Sequence, residues 1–213
     1  MTESLKKQLQ KLPDAPGIYF FYTKEEELVY VGKATSLRSR VRSYFSGKRT
    51  SRPIEQMIDV VEYIKVRRTD TVLESMIAEA NAISKYLPKY NVDGKDNKSW
   101  NYIVITKENF PKVQTMRSHE LDQLKEAERK KQFAYVFGPY PKMNTKATLK
   151  ILRQLFHFTN CTPHSTRPCF YYQMGKCIGV CTGEISAKEY KAQVIKPLVQ
   201  FLRGGKKRLI TSL

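Results

Sequence analysis

Five residues near the start of the chain have side chains suited to handling a phosphate: Tyr19, Tyr30, Lys33, Arg40 and Tyr44. Phenolic hydroxyls donate, accept and exchange protons, while lysine and arginine neutralise phosphate oxygens. Further on, Glu79 sits at the edge of an apolar helical face. There a carboxylate can point into a cleft and hold a hard divalent cation such as magnesium or manganese. A second constellation is all sulfur: Cys161, Cys169, Cys177 and Cys181 fall within 21 residues and are the only cysteines in the chain. Four clustered thiols in a reducing compartment point to a metal centre rather than to disulfides. The spacing lacks paired Cys-x-x-Cys knuckles, so both zinc and a [4Fe–4S] cluster suit it.

The positioning elements follow from pattern. Gly17 to Tyr22 and Leu28 to Val31 flank the polar stretch Thr23 to Glu27 and predict a β-hairpin, bringing Tyr19 and Tyr30 together. Ser36 caps a helix whose Leu37, Val41 and Phe45 form the packed stripe, with Arg40 and Tyr44 four apart on its flank. Its N-terminus, close to Lys33, is expected to be an anion site. A leader helix precedes the hairpin and ends at Leu12-Pro13. A short helix over Ile54 to Val60 and a strand from Val61 to Val66 lead to the main helix. Thr71 opens that helix in a capping box with Glu74; Leu73, Met76, Ile77, Ala80, Ile83 and Leu87 give it an apolar face. Arg38, Arg42, Lys48, Arg49 and Arg52 are candidate DNA contacts.

From residue 101 the character changes. Tyr102 to Thr106, Lys112 to Met116 and Ala134 to Tyr140 predict strands. Glu120 to Lys131 predicts one charged helix, and Thr145 to Phe156 another, with Leu149, Ile151, Leu152 and Leu155 inward and Lys146, Lys150 and Arg153 facing solvent or phosphate. A last helix runs from a Ser186/Glu189 capping box through Phe201, with Pro197 as its kink, and Lys206 to Leu213 begins another. The fold class is α+β. The expected division is a small sheet flanked by helices over 1–98, a linker sheet with the cysteine cluster over 99–185, and a C-terminal helix over 186–213.

The 213 residues carry 38 Lys and Arg against 20 Asp and Glu, a formal charge of +18, which argues for a polyanionic partner and for nucleic acid first. No apolar run reaches membrane-spanning length and no signal-peptide core is present, so the default address is cytoplasmic, with no membrane partner. No histidine precedes His119, which excludes histidine-based nuclease chemistry in the first half.

Gly17-Ile18-Tyr19 paired with Tyr30-Val31-Gly32, followed by Lys33, Arg40 and Tyr44, resembles the signature of GIY-YIG nucleases, and Val29 to Phe45 is similar to the UvrC family. Glu79-Ala80-Asn81, Tyr90-Asn91-Val92 and Asp96 to Trp100 extend the resemblance, as does the cysteine stretch from Arg167 to Cys181; Glu120 to Lys131 departs from it. The resemblance implies that Glu79 is the metal ligand, that Asn91 belongs to the active site, and that the four cysteines bind an iron–sulfur cluster. It implies incision on the 3′ side of a lesion in double-stranded DNA during nucleotide excision repair, after recruitment by UvrB with UvrA upstream. It also implies that this chain is the amino-terminal part of a longer one. Within that frame Tyr30 is the candidate general base and Tyr19 its partner, roles that residue types leave exchangeable. Lys33 and Arg40 are expected to lower the pKa of the base. Arg40 stabilises the phosphate charge; Tyr44 and Asn91 position the scissile strand. The competing readings are a non-catalytic DNA-binding or recruitment module and a stand-alone structure-specific nuclease.

Overall fold

The structure is a computed structural model that describes residues 2–46, 57–92, 100–140, 143–165 and 167–205. It divides into two compact units, 1–95 and 96–213. Lys48, Arg49 and Arg52, the segment Asp96 to Ser99, and Lys206 to Leu213 lie outside the described residues.

In the first unit, β1 (Gly17–Tyr22) is the central strand of an antiparallel sheet, with β2 (Leu28–Ala34) on one side and β3 (Tyr63–Arg68) on the other. The hairpin register sets Tyr19 opposite Gly32 and Phe21 opposite Tyr30. Strand alternation then divides the side chains between two faces. Tyr19, Phe21 and Tyr30 pack with Leu37 and Val41 of α2 (Leu37–Ser46) and with Leu9 and Leu12 at and beyond α1 (Glu3–Gln10). Val31 packs with Ala82 and Ile83 of α3 (Val72–Tyr86). Helices α1 and α2 therefore cover one face of the three-stranded sheet and α3 the other. A single 3₁₀ turn, Met57–Val60, stands in the described part of the helix expected from Ile54.

The caps explain two boundaries. Thr71 Oγ1 accepts from the Glu74 N–H, but Glu74 Oε2 returns to the N–H of Asp70 rather than of Thr71, one residue off the expected box. At the other end Leu87 takes the left-handed cap conformation (φ 44°) and is exposed, so it ends α3 instead of extending its apolar face. After it, α4 (Lys89–Val92) carries Asn91.

The second unit holds another antiparallel sheet, in the order β5-β4-β6: β4 (Asn101–Thr106) lies between β5 (Val113–Arg117) and β6 (Phe133–Tyr140). The helix expected over Glu120 to Lys131 is two short ones, α5 (Ser118–Asp122) and α6 (Glu126–Gln132). Leu121 and Leu124 turn in toward Val104 and Phe133, and the chain restarts at Lys125, whose N–H is taken by Glu128. Helix α7 (Thr145–Phe156) has the expected bounds but a different inward face. Thr145, Thr148, Leu152 and Phe156 are buried, whereas Ile151 and Leu155 are exposed. Past the short α8 (Phe170–Gln173), the C-terminal helix is assembled from α9 (Ala187–Tyr190), a π turn over Lys191–Ile195 and α10 (Lys196–Leu202). The wide turn directly precedes Pro197, which lacks an N–H and crowds the preceding turn. Buried Tyr190 anchors this helix within the unit: its hydroxyl accepts from the Thr159 N–H and donates to the Pro111 carbonyl.

Candidate active site

The glycines of the hairpin are spacing devices. A Cβ at Gly32 would lie 2.3 Å from both Cζ and Oη of Tyr19, so only glycine lets that ring lie over β2. A Cβ at Gly17 would lie 2.4 Å from the Arg67 carbonyl and 2.8 Å from Leu37 Cδ1, so Gly17 lets β1 close on β3 and α2.

Tyr19, thus placed, brings its hydroxyl 2.9 Å from Tyr44 Oη. Arg40, one turn earlier on α2, donates from Nη2 to the same Tyr44 oxygen at 3.0 Å and lies 4.8 Å over its ring. Tyr30 joins the cluster, its ring centroid 6.1 Å from that of Tyr19 and 6.4 Å from that of Tyr44. The structure therefore brings together four of the expected residues, with Tyr44 as the hub. Burial pushes the Tyr19 phenol far above its usual range, with Tyr30 and Tyr44 adding to the effect. Burial likewise raises Tyr30, reinforced by Tyr44 and by the Glu79 carboxylate. Arg40 opposes both shifts without prevailing. Arg40 thus acts on the base in the expected direction, but desolvation outweighs one guanidinium and keeps both phenols high.

Lys33 is engaged by Glu79. Its backbone N–H donates to Glu79 Oε1 at 3.0 Å, and its ammonium lies 3.2 Å from Oε2. Glu79 reaches this point from α3 with its side chain 16% exposed, at the border between core and solvent as its helical phase predicts. A single carboxylate, oriented by a backbone donor and open on one side, suits a hard cation that keeps most of its own water.

Three other residues do something different from what their types imply. Asn91 is buried, its Oδ1 accepting from the Val31 N–H at 2.7 Å and its Nδ2 donating to the Val31 carbonyl at 2.8 Å. It closes the outer edge of β2 as a strand would, so it positions the Tyr30-to-Gly32 segment. Arg42 donates to the carbonyls of Leu9 and Gln10, and Arg38 to that of Leu12. Both guanidiniums bind carbonyls at the C-terminal end of α1 and just beyond it, and both residues remain exposed. The expected anion site at the start of α2 is also filled from within. The N–H groups of Leu37, Arg38 and Ser39 donate to Ala15 O, Pro13 O and Ser36 Oγ. The site residue that pattern reading misses is the backbone amide of Lys33, which leaves no trace in residue type.

In the second unit all four cysteines are free thiols. The sulfurs of Cys161, Cys169 and Cys181 lie within 4.8 Å of one another; Cys177 is buried but outside that group, so three of the four expected ligands are assembled. Burial pushes the Cys161 thiol up to about 11 and also raises Cys169. Cys181 is likewise burdened by burial, yet hydrogen bonds from the Cys169 backbone and from the Cys169 and Cys161 thiols hold it below the usual range. A group of soft sulfur donors fits zinc or an iron–sulfur cluster and not a hard cation.

Residues 15–92 match the family model of the UvrC-like GIY-YIG domain, and residues 100–199 match that of the UvrC/Cho excinuclease middle domain. Over 99% of its length the chain is 38% identical to the UvrABC system protein C of Carboxydothermus hydrogenoformans, and it spans 34% of that relative's length. Among solved structures, it is similar to the GIY-YIG N-terminal endonuclease domain of UvrC from Thermotoga maritima bound to its catalytic divalent cation, magnesium. That match is 35% identical over 43% of this chain and 100% of the other, with a TM-score of 0.39. A point mutant of the same domain matches at 34% identity, over 43% and 99%, also with a TM-score of 0.39.

Proposed function

The chain belongs to the UvrC family, with its nuclease and middle domains in sequence, and on that premise we propose that it is the part of a DNA-repair excinuclease that cuts on the 3′ side of a lesion. The observation that carries this reading is the pairing of two features in the first unit. One is the hydroxyl and guanidinium cluster of Tyr19, Tyr44 and Arg40. The other is a carboxylate, Glu79, held at the rim by Lys33 and felt electrostatically by Tyr30.

Phosphodiester hydrolysis needs an activated water, a stabilised phosphate charge and a leaving oxygen that tolerates its electrons. Magnesium or manganese on Glu79, when bound, supplies the charge that stabilises the departing 3′ oxygen and favours a deprotonated oxygen nearby. Tyr30 is the base in this reading, with Tyr19 its exchangeable partner, and burial holds both phenols neutral. Tyr19 and Tyr44 orient Tyr30 through their shared hydrogen bonds. Arg40 meets the phosphate charge, and Lys33, beside Glu79, tunes Tyr30 or binds phosphate.

Cys161, Cys169 and Cys181, with Cys177 as the fourth thiol, hold a structural [4Fe–4S] cluster, with zinc as the alternative ion. Iron and acid-labile sulfide assays on anaerobically purified protein distinguish the two. UvrB, with UvrA acting before it, is the proposed recruiting partner, and lesion-bearing double-stranded DNA in the cytoplasm the substrate. Among the described residues no helix is long and apolar enough to cross a membrane. The test is incision of end-labelled, lesion-containing duplex preloaded with UvrA and UvrB. A cut on the 3′ side supports the reading; cutting of undamaged branched DNA without UvrB favours a stand-alone nuclease instead.

A further inference from the structure

A second basic site lies in the other unit, and it owes nothing to the nuclease residues. Along α7, Lys146, Lys150 and Arg153 recur at i, i+4 and i+7, so they form a row about 5–6 Å apart on one face. That face and the edge strand β5 bound a groove of about 650 Å³, to which the cysteine-bearing segment adds Tyr171 and Lys176. None of the lining residues is acidic, and no carboxylate pairs with Lys146, Lys150 or Lys176 among the described residues.

The aromatic component is specific. Arg153 lies 4.3 Å over the Tyr171 ring, yet Tyr171 remains 43% exposed, and its neighbour Phe170, edge-on at 5.9 Å, is 67% exposed. Apolar rings left in solvent beside a row of cations are what a chain of alternating phosphates and bases requires. The cations follow the backbone, and an unstacked base covers the ring. A single bound anion would need one convergent pocket rather than a row, and an acidic peptide has no use for a stacking surface.

We propose that this groove binds a segment of single-stranded DNA, its phosphates on Lys146, Lys150 and Lys176 and a base on Tyr171. A middle domain that holds one unpaired strand supplies a contact separate from the cutting site. The proposal stands whether or not the first unit cuts.

The experiment uses the full chain in EDTA, so that no cutting is scored, and reads fluorescence anisotropy of a labelled single-stranded oligonucleotide across a salt series. The groove variant Lys146→Gln/Lys150→Gln/Lys176→Gln is compared with a charge-matched control, Lys107→Gln/Lys125→Gln/Lys131→Gln, whose lysines are exposed elsewhere on the same unit. The groove variant is expected to bind about tenfold more weakly than the control, with the slope of log affinity against log salt smaller by about 2. Tyr171→Ala is expected to cost about fivefold on the single strand and nothing on a duplex of the same length. Equal affinity for groove and control variants would overturn the proposal. A silent Tyr171→Ala, or one that costs as much on duplex as on single strand, would overturn its single-strand form.

Discussion

Tyr19 and Gly32 face each other across the β1–β2 pair so closely that a methyl group at position 32 would sit 2.3 Å from the tyrosine hydroxyl. The glycine is therefore part of the site, since it permits the ring position from which Tyr19 reaches Tyr44. Gly32→Ala is expected to force Tyr19 off Tyr44 and to destabilise the first unit by about 1–3 kcal/mol, the usual cost of overpacking. Thermal melting checks the stability, and incision by the still-folded fraction should fall with it.

Arg40 and Arg42 lie two residues apart on one helix, yet they point to different jobs. Arg42→Ala is expected to lower stability by about 1 kcal/mol through the lost contacts to Leu9 and Gln10, while leaving incision of preloaded substrate at the wild-type rate. Arg40→Ala is expected to lower stability by no more than Arg42→Ala does and to lower the single-turnover rate by about 10²-fold. Measuring both quantities on both variants checks the division.

Burial raises the phenols of Tyr19, Tyr30, Tyr140 and Tyr190 above the ordinary value of 10.0. A folded state that holds these protons more tightly than the unfolded chain keeps their full contribution below pH 10. It loses that contribution as pH climbs toward the folded values. Stability should therefore fall steadily above about pH 10. In a spectrophotometric titration of the 13 tyrosines, these four should ionise only together with unfolding. Early, reversible ionisation of all 13 would contradict the burial of the cluster.

Much of this was legible because it is local. The Ser186 cap with Glu189, the bounds of α7 and the hairpin that pairs Tyr19 with Tyr30 each depend on residues a few positions apart. Apart from the one-residue shift of the Glu74 bond at the start of α3, the misreadings come from packing rather than from local pattern. Asn91 meets Val31 across 60 positions and Lys33 meets Glu79 across 46, both through backbone groups that carry no residue identity. Arg38 and Arg42 share composition with Arg40, and only the position of α1 and the residues after it decides that they bind the Leu12 and Leu9 carbonyls. The break between α5 and α6 contains neither glycine nor proline; it comes from drawing Leu121 and Leu124 onto the sheet. Ile151 and Leu155 misled because apolar type alone does not say which stripe of α7 faces the core.

The central claim is that Glu79 holds the cation on which cutting depends. Its most direct test compares the wild-type chain with Glu79→Gln on lesion-bearing duplex loaded with UvrA and UvrB, across a magnesium or manganese titration. Glutamine keeps the shape and still accepts from the Lys33 N–H, so the fold should persist. The account predicts loss of 3′-side incision by about 10³-fold or more, with DNA binding retained. Equal incision by both proteins at the same metal concentration would contradict it.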